Sequence, residues 1–293
     1  MNYCEVVQTA DLSEIHDFID HHLCDDYHVV LSEDAADLFA ENGFVLGGKA
    51  IGDEMLGRLR TDLSEMLSPD FAADSRFYEF HTNESVSGDV LFHALGAWRV
   101  SPSFHDLIFH SPIVKAAETL LGGPVRLWHD QIFAKPANDG GFVAWHQDHS
   151  YWTRTEPITH LTCWIALDDA TQDNGCVNYI PGSHRWPLLP RGKLADDMDA
   201  VIDRLSDQQR SQFRPFAAEM PAGSCSFHHS MTVHGSFPNR SPRPRRGAVI
   251  NFILDGVRSA SDEPLLDGVP VVPPGEKLQG QFFPLLNLNS ETR

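Results

Sequence analysis

The stretch Trp145-His146-Gln147-Asp148 decides both the fold and the chemistry predicted for this chain. Three apolar residues precede it, as in a strand, and alternate side chains of a strand point to the same face. His146 and Asp148 are therefore predicted to present an imidazole and a carboxylate side by side. A second imidazole from a distant strand, best supplied by His234, would complete two histidines and one carboxylate. That ligand set leaves open metal positions and is typical of non-haem Fe(II) oxygenases.

The choice of His234 rests on its surroundings, because sixteen histidines make chance pairings common. It ends a β-type run and precedes Gly235-Ser236, where small residues leave an open approach to a metal. The rival pairs consist of neighbours, which face opposite sides of a strand; they are His129-Asp130 and His228-His229. Either residue of the second pair remains a possible ligand singly. His149 is predicted to point away from the first histidine and carboxylate if the strand continues.

Composition bounds the class of protein. The 293 residues are 42% hydrophobic, which allows a full core, and we predict one domain over residues 1–293. A net charge of −19 argues against a nucleic-acid partner, which needs basic patches. No stretch predicts a membrane span or signal peptide, and five cysteines without a CxxC motif favour reduced thiols. These features predict a cytoplasmic protein.

Predicted helices precede predicted strands along the chain, which indicates an α+β fold, mainly β in its core. Helical periodicity and turn residues predict one helix between a Ser32 cap and the Asn42-Gly43 stop, and two more over 53–67 and 111–121. Short β-type runs follow at 125–135, 142–148, 160–167, 176–180, 224–229, 231–234 and 246–254. Residues 1–30 are predicted to be an N-terminal extension and 68–90 a loop-rich stretch. Residues 186–216 are predicted to be a lid inserted within the core, with a helical, charged segment from Lys193 to Arg214.

A basic cluster lies shortly after His234 and comprises Arg240, Arg243, Arg245 and Arg246. One member is predicted to turn inward and bind a carboxylate through two hydrogen bonds, for which a planar guanidinium is well suited. Alternation places Arg245 and Arg246 on opposite faces of the following strand. It does not say which face is inward, so the choice stays open at this point.

In these residues the chain resembles the phytanoyl-CoA dioxygenase family of Fe(II)/2-oxoglutarate oxygenases, from about residue 33 to 256. The resemblance rests on ordered motifs: Trp145-His146-Gln147-Asp148, Cys163-Trp164-Ile165-Ala166-Leu167-Asp168, Asn174-Gly175-Cys176, Pro181-Gly182-Ser183-His184 and His234-Gly235-Ser236. It implies a double-stranded β-helix, a cupin-like jelly roll with flanking N-terminal helices.

The resemblance also implies residue roles. His146, Asp148 and His234 match the family's iron ligands. Arg245 best matches the arginine that binds the far carboxylate of 2-oxoglutarate, with Arg243 and Arg246 as alternatives. Other matching cosubstrate positions are Ser236, Trp164 and Gln131, with Lys135 less securely placed. Predicted substrate contacts are His149, Tyr151 and Trp152.

The implied reaction uses Fe(II), 2-oxoglutarate and dioxygen to hydroxylate an unactivated C–H bond of a small molecule, with release of succinate and carbon dioxide. Related halogenases replace the carboxylate ligand with a small residue, so Asp148 favours hydroxylation or desaturation. The acidic composition disfavours a CoA thioester as substrate. Two alternatives remain: an iron enzyme with another electron source, and a non-catalytic jelly-roll protein that binds a metal or small molecule.

Overall fold

The computed structural model describes residues 31–85 and 88–286; the predicted extension 1–30 lies outside this part of the chain. Its α-helices are α1 Ala35–Asn42, α2 Asp53–Met66, α3 Pro102–Ile108, α4 Ser111–Leu121 and α5 Asp207–Gln212. The predictions for α1, α2 and α4 are confirmed in their main extent. The sequence analysis missed α3, although Ser101 caps it by accepting a hydrogen bond from the Phe104 amide and Pro102 occupies its first turn.

Thirteen strands are described, and their order along the chain is β1 Phe44–Lys49, β2 Glu79–His81, β3 Phe92–Leu95, β4 Val125–Lys135, β5 Val143–His146, β6 Thr155–Glu156, β7 His160–Ala166, β8 Val177–Tyr179, β9 Phe216–Ala217, β10 Ser224–His229, β11 His234–Ser236, β12 Arg245–Leu254 and β13 Arg258–Ser259. Seven form an antiparallel sheet in the order β1-β10-β7-β12-β4-β3-β2, and four form a second in the order β5-β11-β8-β9. The fold is a jelly roll with flanking helices, as predicted.

Alternation along the strands of the large sheet separates its two faces. On β12, Ala248, Ile250 and Phe252 join the hydrophobic core that also contains Leu59 of α2 and Ile113 of α4. Val249 instead packs with Trp164 and Tyr179 in a second cluster, which includes side chains from both sheets. The face of β12 that carries Val249 is therefore the inner one, and Arg245 lies on it. The structure thereby settles which face of this strand is inward.

Two strand boundaries near the predicted metal site differ from the prediction. The strand predicted over 142–148 ends at His146, and a 3₁₀ helix follows from Asp148 to Tyr151. The strand predicted over 231–234 is wrong in its bounds, because β11 begins at His234 instead of ending there. Asp148 thus reaches the site from a tight turn and not from an alternating strand.

The prediction of a helical segment from Lys193 to Arg214 within residues 186–216 is wrong over most of its length. It contains one 3₁₀ turn, Ile202–Arg204, and the short helix α5, with irregular turns elsewhere. Apolar side chains of the segment pack on Trp145 of β5; they include Leu189, Val201, Leu205 and Phe213. Its backbone also contacts β5, because the Ala144 amide donates to the Leu194 carbonyl at 2.7 Å. These contacts hold the segment against the strand that carries His146.

Candidate active site

His146, Asp148 and His234 come together at one end of the small sheet. His146 of β5 and His234 of β11 are directly opposite each other in the antiparallel pair, with ring centroids 4.2 Å apart. Asp148 Oδ1 lies 3.3 Å from His146 Nε2 and 3.5 Å from His234 Nε2. One donor atom from each residue lies within 4.8 Å of the others. This arrangement can hold one metal ion.

Backbone carbonyls fix the orientation of both imidazoles. His146 Nδ1 lies 2.7 Å from the Ala144 carbonyl oxygen, and His234 Nδ1 lies 3.0 Å from that of Thr232. A carbonyl only accepts, so each Nδ1 carries the proton and each Nε2 keeps a lone pair. Burial and the neighbouring His146 lower the pKa of His234 well below its usual value. A neutral imidazole with a free Nε2 is the form that binds a metal.

Asp148 is held by partners on its other oxygen. The Thr162 hydroxyl lies 2.7 Å from Asp148 Oδ2, and His228 Nε2 lies 3.1 Å from it. Burial alone would raise the pKa of this carboxyl, but the surrounding histidines keep it well below its usual value. The carboxyl is therefore ionised, which leaves Oδ1 as a negative ligand beside the Nε2 atoms of His146 and His234. This donor set fits a divalent iron ion.

Removing the Thr162 hydroxyl is expected to weaken Fe(II) binding without removing a ligand. We expect Thr162→Val to lower Fe(II) affinity about 10- to 100-fold, because the hydroxyl orients the ligating carboxylate. The measurement is anaerobic Fe(II) titration against a chelator of known affinity. Thr159→Val is the matched control, since the Thr159 hydroxyl has no hydrogen-bond partner among the described residues. Equal affinities in the two variants would contradict the expectation.

A cavity of about 380 Å³ is lined by these three residues. Its wall on β12 and β4 has two sides, one at Arg245 and the other at His129, which pairs with Asn251 six residues further along β12. Arg245 lines one side and is 1% exposed, with Nε and Nη2 donating to the Gly175 carbonyl at 3.0 and 2.6 Å. Burial lowers its pKa to about 10, so the guanidinium remains protonated near neutral pH. Arg246 instead binds Asp168 through two 2.8 Å contacts, and the Arg243 side chain is 65% exposed.

The indole of Trp164 lies beside Arg245, whose guanidinium carbon is 5.3 Å from the ring centroid. A Cβ on Gly247 would lie 2.5 Å from this indole, so glycine is needed there for the ring to reach the cavity. Ser236 also lines this side. Its hydroxyl accepts a 2.7 Å hydrogen bond from buried Lys135, which is not among the described lining residues. Lys135 thus supports Ser236 from behind.

The other side of the cavity is more aromatic. Trp152 and Tyr151, the other predicted substrate contacts, line it together with Trp128 and His129. Gln131 lies between the two sides, and its side-chain oxygen is 3.0 Å from His93 Nε2.

His149 differs from the other predicted substrate contacts in its position. It is not among the described residues that line the cavity, and its ring centroid lies 5.6 Å from that of His160. Substrate contact by His149 stays a prediction from the sequence.

Sequence reasoning missed several side chains that complete the site: Thr162, His228 and Asn251. Thr162 lies two residues before Trp164 on β7, and alternation places it on the same inner face. His228 was considered only as a possible ligand. Asp130 and His129 confirm that adjacent residues of a strand face opposite sides of the sheet. His129 lines the cavity. Asp130 lies on the opposite face and accepts hydrogen bonds from the Gly96 and Trp98 amides.

Comparison with protein families gives a match to the model described as phytanoyl-CoA dioxygenase (PhyH), over residues 39–247. The match covers more than two thirds of the chain and includes all three residues of the candidate metal site. The chain belongs to the phytanoyl-CoA dioxygenase family. As a member of this family it is an Fe(II)/2-oxoglutarate-dependent dioxygenase, whose cofactors are Fe(II) and 2-oxoglutarate.

Two relatives illustrate the range of this phytanoyl-CoA dioxygenase family. A probable alpha-ketoglutarate-dependent hypophosphite dioxygenase of Stutzerimonas stutzeri is 30% identical over 67% of this chain and 66% of its own length. The phytanoyl-CoA dioxygenase of Arabidopsis thaliana is 29% identical over 76% of this chain and 86% of its own length.

The fold is also seen in a crystal structure, that of the non-heme alpha ketoglutarate dependent carbocyclase SnoK from nogalamycin biosynthesis. The two chains superpose with a TM-score of 0.71 at 24% identity, covering 88% of this chain and 97% of SnoK. This likeness concerns the jelly roll and its flanking helices. Within the described residues no helix is long and apolar enough to cross a membrane.

Proposed function

We propose that this enzyme hydroxylates an unactivated C–H bond of a small molecule and releases succinate and carbon dioxide. The observation that carries the proposal is a buried carboxylate between the imidazoles of His146 and His234, opening into a cavity of about 380 Å³. When bound there, Fe(II) and 2-oxoglutarate supply the activation of dioxygen and the oxidation of the C–H bond.

The residue roles follow from position and charge. His146, Asp148 and His234 would hold the iron. Arg245 would bind the far carboxylate of 2-oxoglutarate, because it is a buried cation whose fork of donors matches a carboxylate. Ser236 would donate to the same carboxylate, since its own oxygen already accepts a hydrogen bond from Lys135. Trp164 and Gln131 would border the cosubstrate and exclude water from it.

The carboxylate of Asp148 bears on the outcome of the reaction. It occupies the ligand position that a halide takes in related halogenases, and Thr162 and His228 hold it there. Hydroxylation or desaturation is thus favoured over halogenation.

The aromatic side of the cavity would receive the substrate, with Tyr151 and Trp152 at its wall. The relatives named for hypophosphite and for phytanoyl-CoA differ greatly in substrate size, so neither name transfers to this chain. A cytoplasmic location and the absence of a nucleic-acid partner remain predictions from composition.

We further propose that residues 186–216 act as a lid over the substrate side. Several cavity-lining residues come from this segment: Arg191, Gly192, Lys193, Leu194, Ala195 and Asp196. The Tyr151 hydroxyl donates to the Gly192 carbonyl at 2.8 Å, and the Arg191 guanidinium carbon lies 4.7 Å from the Tyr151 ring centroid. Tyr151, three residues after Asp148, thus connects the lid to the metal site.

Tyr151→Phe is expected to loosen the tip of this lid. One lost hydrogen bond is worth about 1 kcal/mol, so amide hydrogen exchange over residues 190–196 should be about fivefold faster. Mass spectrometry of deuterated peptides measures this. Tyr78→Phe is the control, because Tyr78 is not among the described residues that line the cavity. Unchanged amide hydrogen exchange over residues 190–196 in Tyr151→Phe would show that the Tyr151 hydroxyl does not hold the lid in place.

Anaerobic ultraviolet–visible titration tests the proposed function. A weak visible charge-transfer band should develop only when the protein holds both Fe(II) and 2-oxoglutarate, and it should be absent in His234→Ala. Iron binding without the band would indicate another electron source. The absence of both would favour the non-catalytic alternative. Screening of small molecules by succinate formation would then identify the substrate.

A further inference from the structure

Four buried side chains form a continuous row that starts at the candidate metal site. Thr162 Oγ1 lies 2.7 Å from Asp148 Oδ2 and 2.9 Å from Asn251 Oδ1. Asn251 Nδ2 lies 3.2 Å from His129 Nδ1. His129 and Thr162 also line the cavity. The row therefore links the carboxylate of the metal site to an imidazole on the substrate side.

Counting protons along the row fixes its direction. The Thr162 hydroxyl has one proton, and its shorter contact is the 2.7 Å one to Asp148 Oδ2, so that proton goes to the carboxylate. The contact between Thr162 and Asn251 then needs a proton from Asn251. Exchanging the oxygen and nitrogen of the Asn251 amide by a 180° turn supplies it, because Nδ2 then donates to Thr162 Oγ1. The amide oxygen of Asn251 consequently faces His129 Nδ1 and accepts from it. In this arrangement every contact of the row has a single donor and a single acceptor.

A second contact leads independently to the same form of His129. Its Nδ1 lies 3.3 Å from the Asp130 carbonyl oxygen, which only accepts, so Nδ1 carries a proton. Burial lowers the pKa of His129 to about 4, and the ring is neutral near pH 7. A neutral ring protonated at Nδ1 has an unprotonated Nε2. His129 thus keeps a hydrogen-bond acceptor on its remaining nitrogen.

The surroundings of His129 place this acceptor in an apolar, aromatic part of the cavity. The ring centroid of Trp152 lies 5.5 Å away at 82°, and that of Trp128 lies 5.6 Å away. Trp128, Trp152 and Leu265 line the same side. A hydrogen bond made there is shielded from water. A substrate donor buried there without this bond would have no partner, which costs free energy.

We propose that His129 is a specificity residue that accepts a hydrogen bond from an O–H or N–H group of the substrate. The row from Asp148 through Thr162 and Asn251 sets its tautomer. The inference rests on the proposed function, because it takes this side of the cavity as the substrate side. It deepens that function by restricting the substrate to molecules with a donor close to an apolar or aromatic body.

The tautomer is tested first, on the full chain without metal and with Zn(II) plus 2-oxoglutarate. Nitrogen-15 NMR of histidine-labelled protein distinguishes protonated from unprotonated ring nitrogens. The His129 signals are identified by their loss in His129→Gln. We expect an unprotonated Nε2 and a protonated Nδ1 in both states. A proton on Nε2 would overturn the inference, whatever the enzyme's activity.

The donor preference is tested with a matched pair of probes, indole and benzofuran, which differ in one N–H group. We expect indole to bind the Zn(II) and 2-oxoglutarate form about tenfold more tightly by calorimetry, as one shielded hydrogen bond allows. The ratio should fall to about one in His129→Leu, and His129→Gln, which retains an acceptor, should recover part of it.

Three outcomes would overturn the proposal: equal binding of the two probes in the unaltered protein, a preference that survives His129→Leu, or binding of neither probe. The Fe(II) and 2-oxoglutarate charge-transfer band, recorded on the same preparation, separates these failures from failure of the proposed function itself.

Discussion

Asp148→Ala is expected to lower Fe(II) affinity by more than about 100-fold and to abolish succinate formation. Altering a group that only orients a metal ligand lowers metal affinity about 10- to 100-fold. Because Asp148→Ala removes the ligand itself, the loss of Fe(II) affinity should be larger. The substitution also removes the one negative charge that offsets the dication among His146, His228 and His234. The measurements are anaerobic Fe(II) titration and succinate formation at saturating iron.

The fold of Asp148→Ala should be retained. The carboxylate is a buried charge, and its removal leaves the Thr162 hydroxyl and the His228 imidazole with one partner fewer. Asp262→Ala, at an exposed position, is the matched control and should bind iron normally. Full activity of Asp148→Ala would show that the carboxylate ligand has been misassigned.

Arg245→Gln is expected to weaken 2-oxoglutarate binding by at least about thirtyfold while leaving Fe(II) binding unchanged. Removing one partner of a buried charge pair costs about 2–5 kcal/mol, which corresponds to thirtyfold or more in affinity. Glutamine retains a polar side chain but supplies neither the charge nor the two-pronged donor. The dissociation constant is read from the charge-transfer band at increasing 2-oxoglutarate concentration.

Arg243→Gln separates this role from general charge near the site. Its side chain is 65% exposed and lies 3.9 Å from Asp169, so the change should leave 2-oxoglutarate affinity within about twofold, as expected for a surface ion pair. Equal losses in both variants would mean that the basic cluster acts through its overall charge. Thermal unfolding of Arg245→Gln checks that the Gly175 carbonyl, which loses its donor, does not destabilise the fold.

The sequence was sufficient to predict that His146, Asp148 and His234 come together as a candidate metal site, although one reason was incomplete. His146 and His234 are cross-strand neighbours, and pairing partners of this kind are not readable from one chain. Asp148 reaches His146 through a 3₁₀ turn rather than through strand alternation. A 3₁₀ turn and an extended strand both place the side chains of His146 and Asp148 on the same side. The prediction that they lie together was therefore correct although the predicted local structure was not.

The choice among the arginines needed tertiary information. Alternation along β12 separates Arg245 from Arg246, but which face is inward depends on where the helices pack. Thr162 and Asn251 were missed because a polar residue in an apolar strand signals a partner only when the neighbouring strand is known. Segment 186–216 was mispredicted for a different reason. Met198, Val201, Ile202 and Leu205 have helical spacing, but these side chains pack on Trp145 and Val233, and only Ile202–Arg204 among these positions forms a 3₁₀ turn.

The backbone bonds between segment 186–216 and β5 have a consequence for self-association. β5 is the outermost strand of its sheet, and its outward amides at Ala144 and Trp145 donate to the Leu194 and Met198 carbonyls. An uncovered strand of this kind is a template for pairing with another chain. Segment 186–216 is therefore expected to protect the molecule from aggregation by covering this edge. If the whole segment moved away, the edge of β5, which carries His146, would be exposed. Motion confined to the tip around Gly192 would admit substrate while leaving that protection in place.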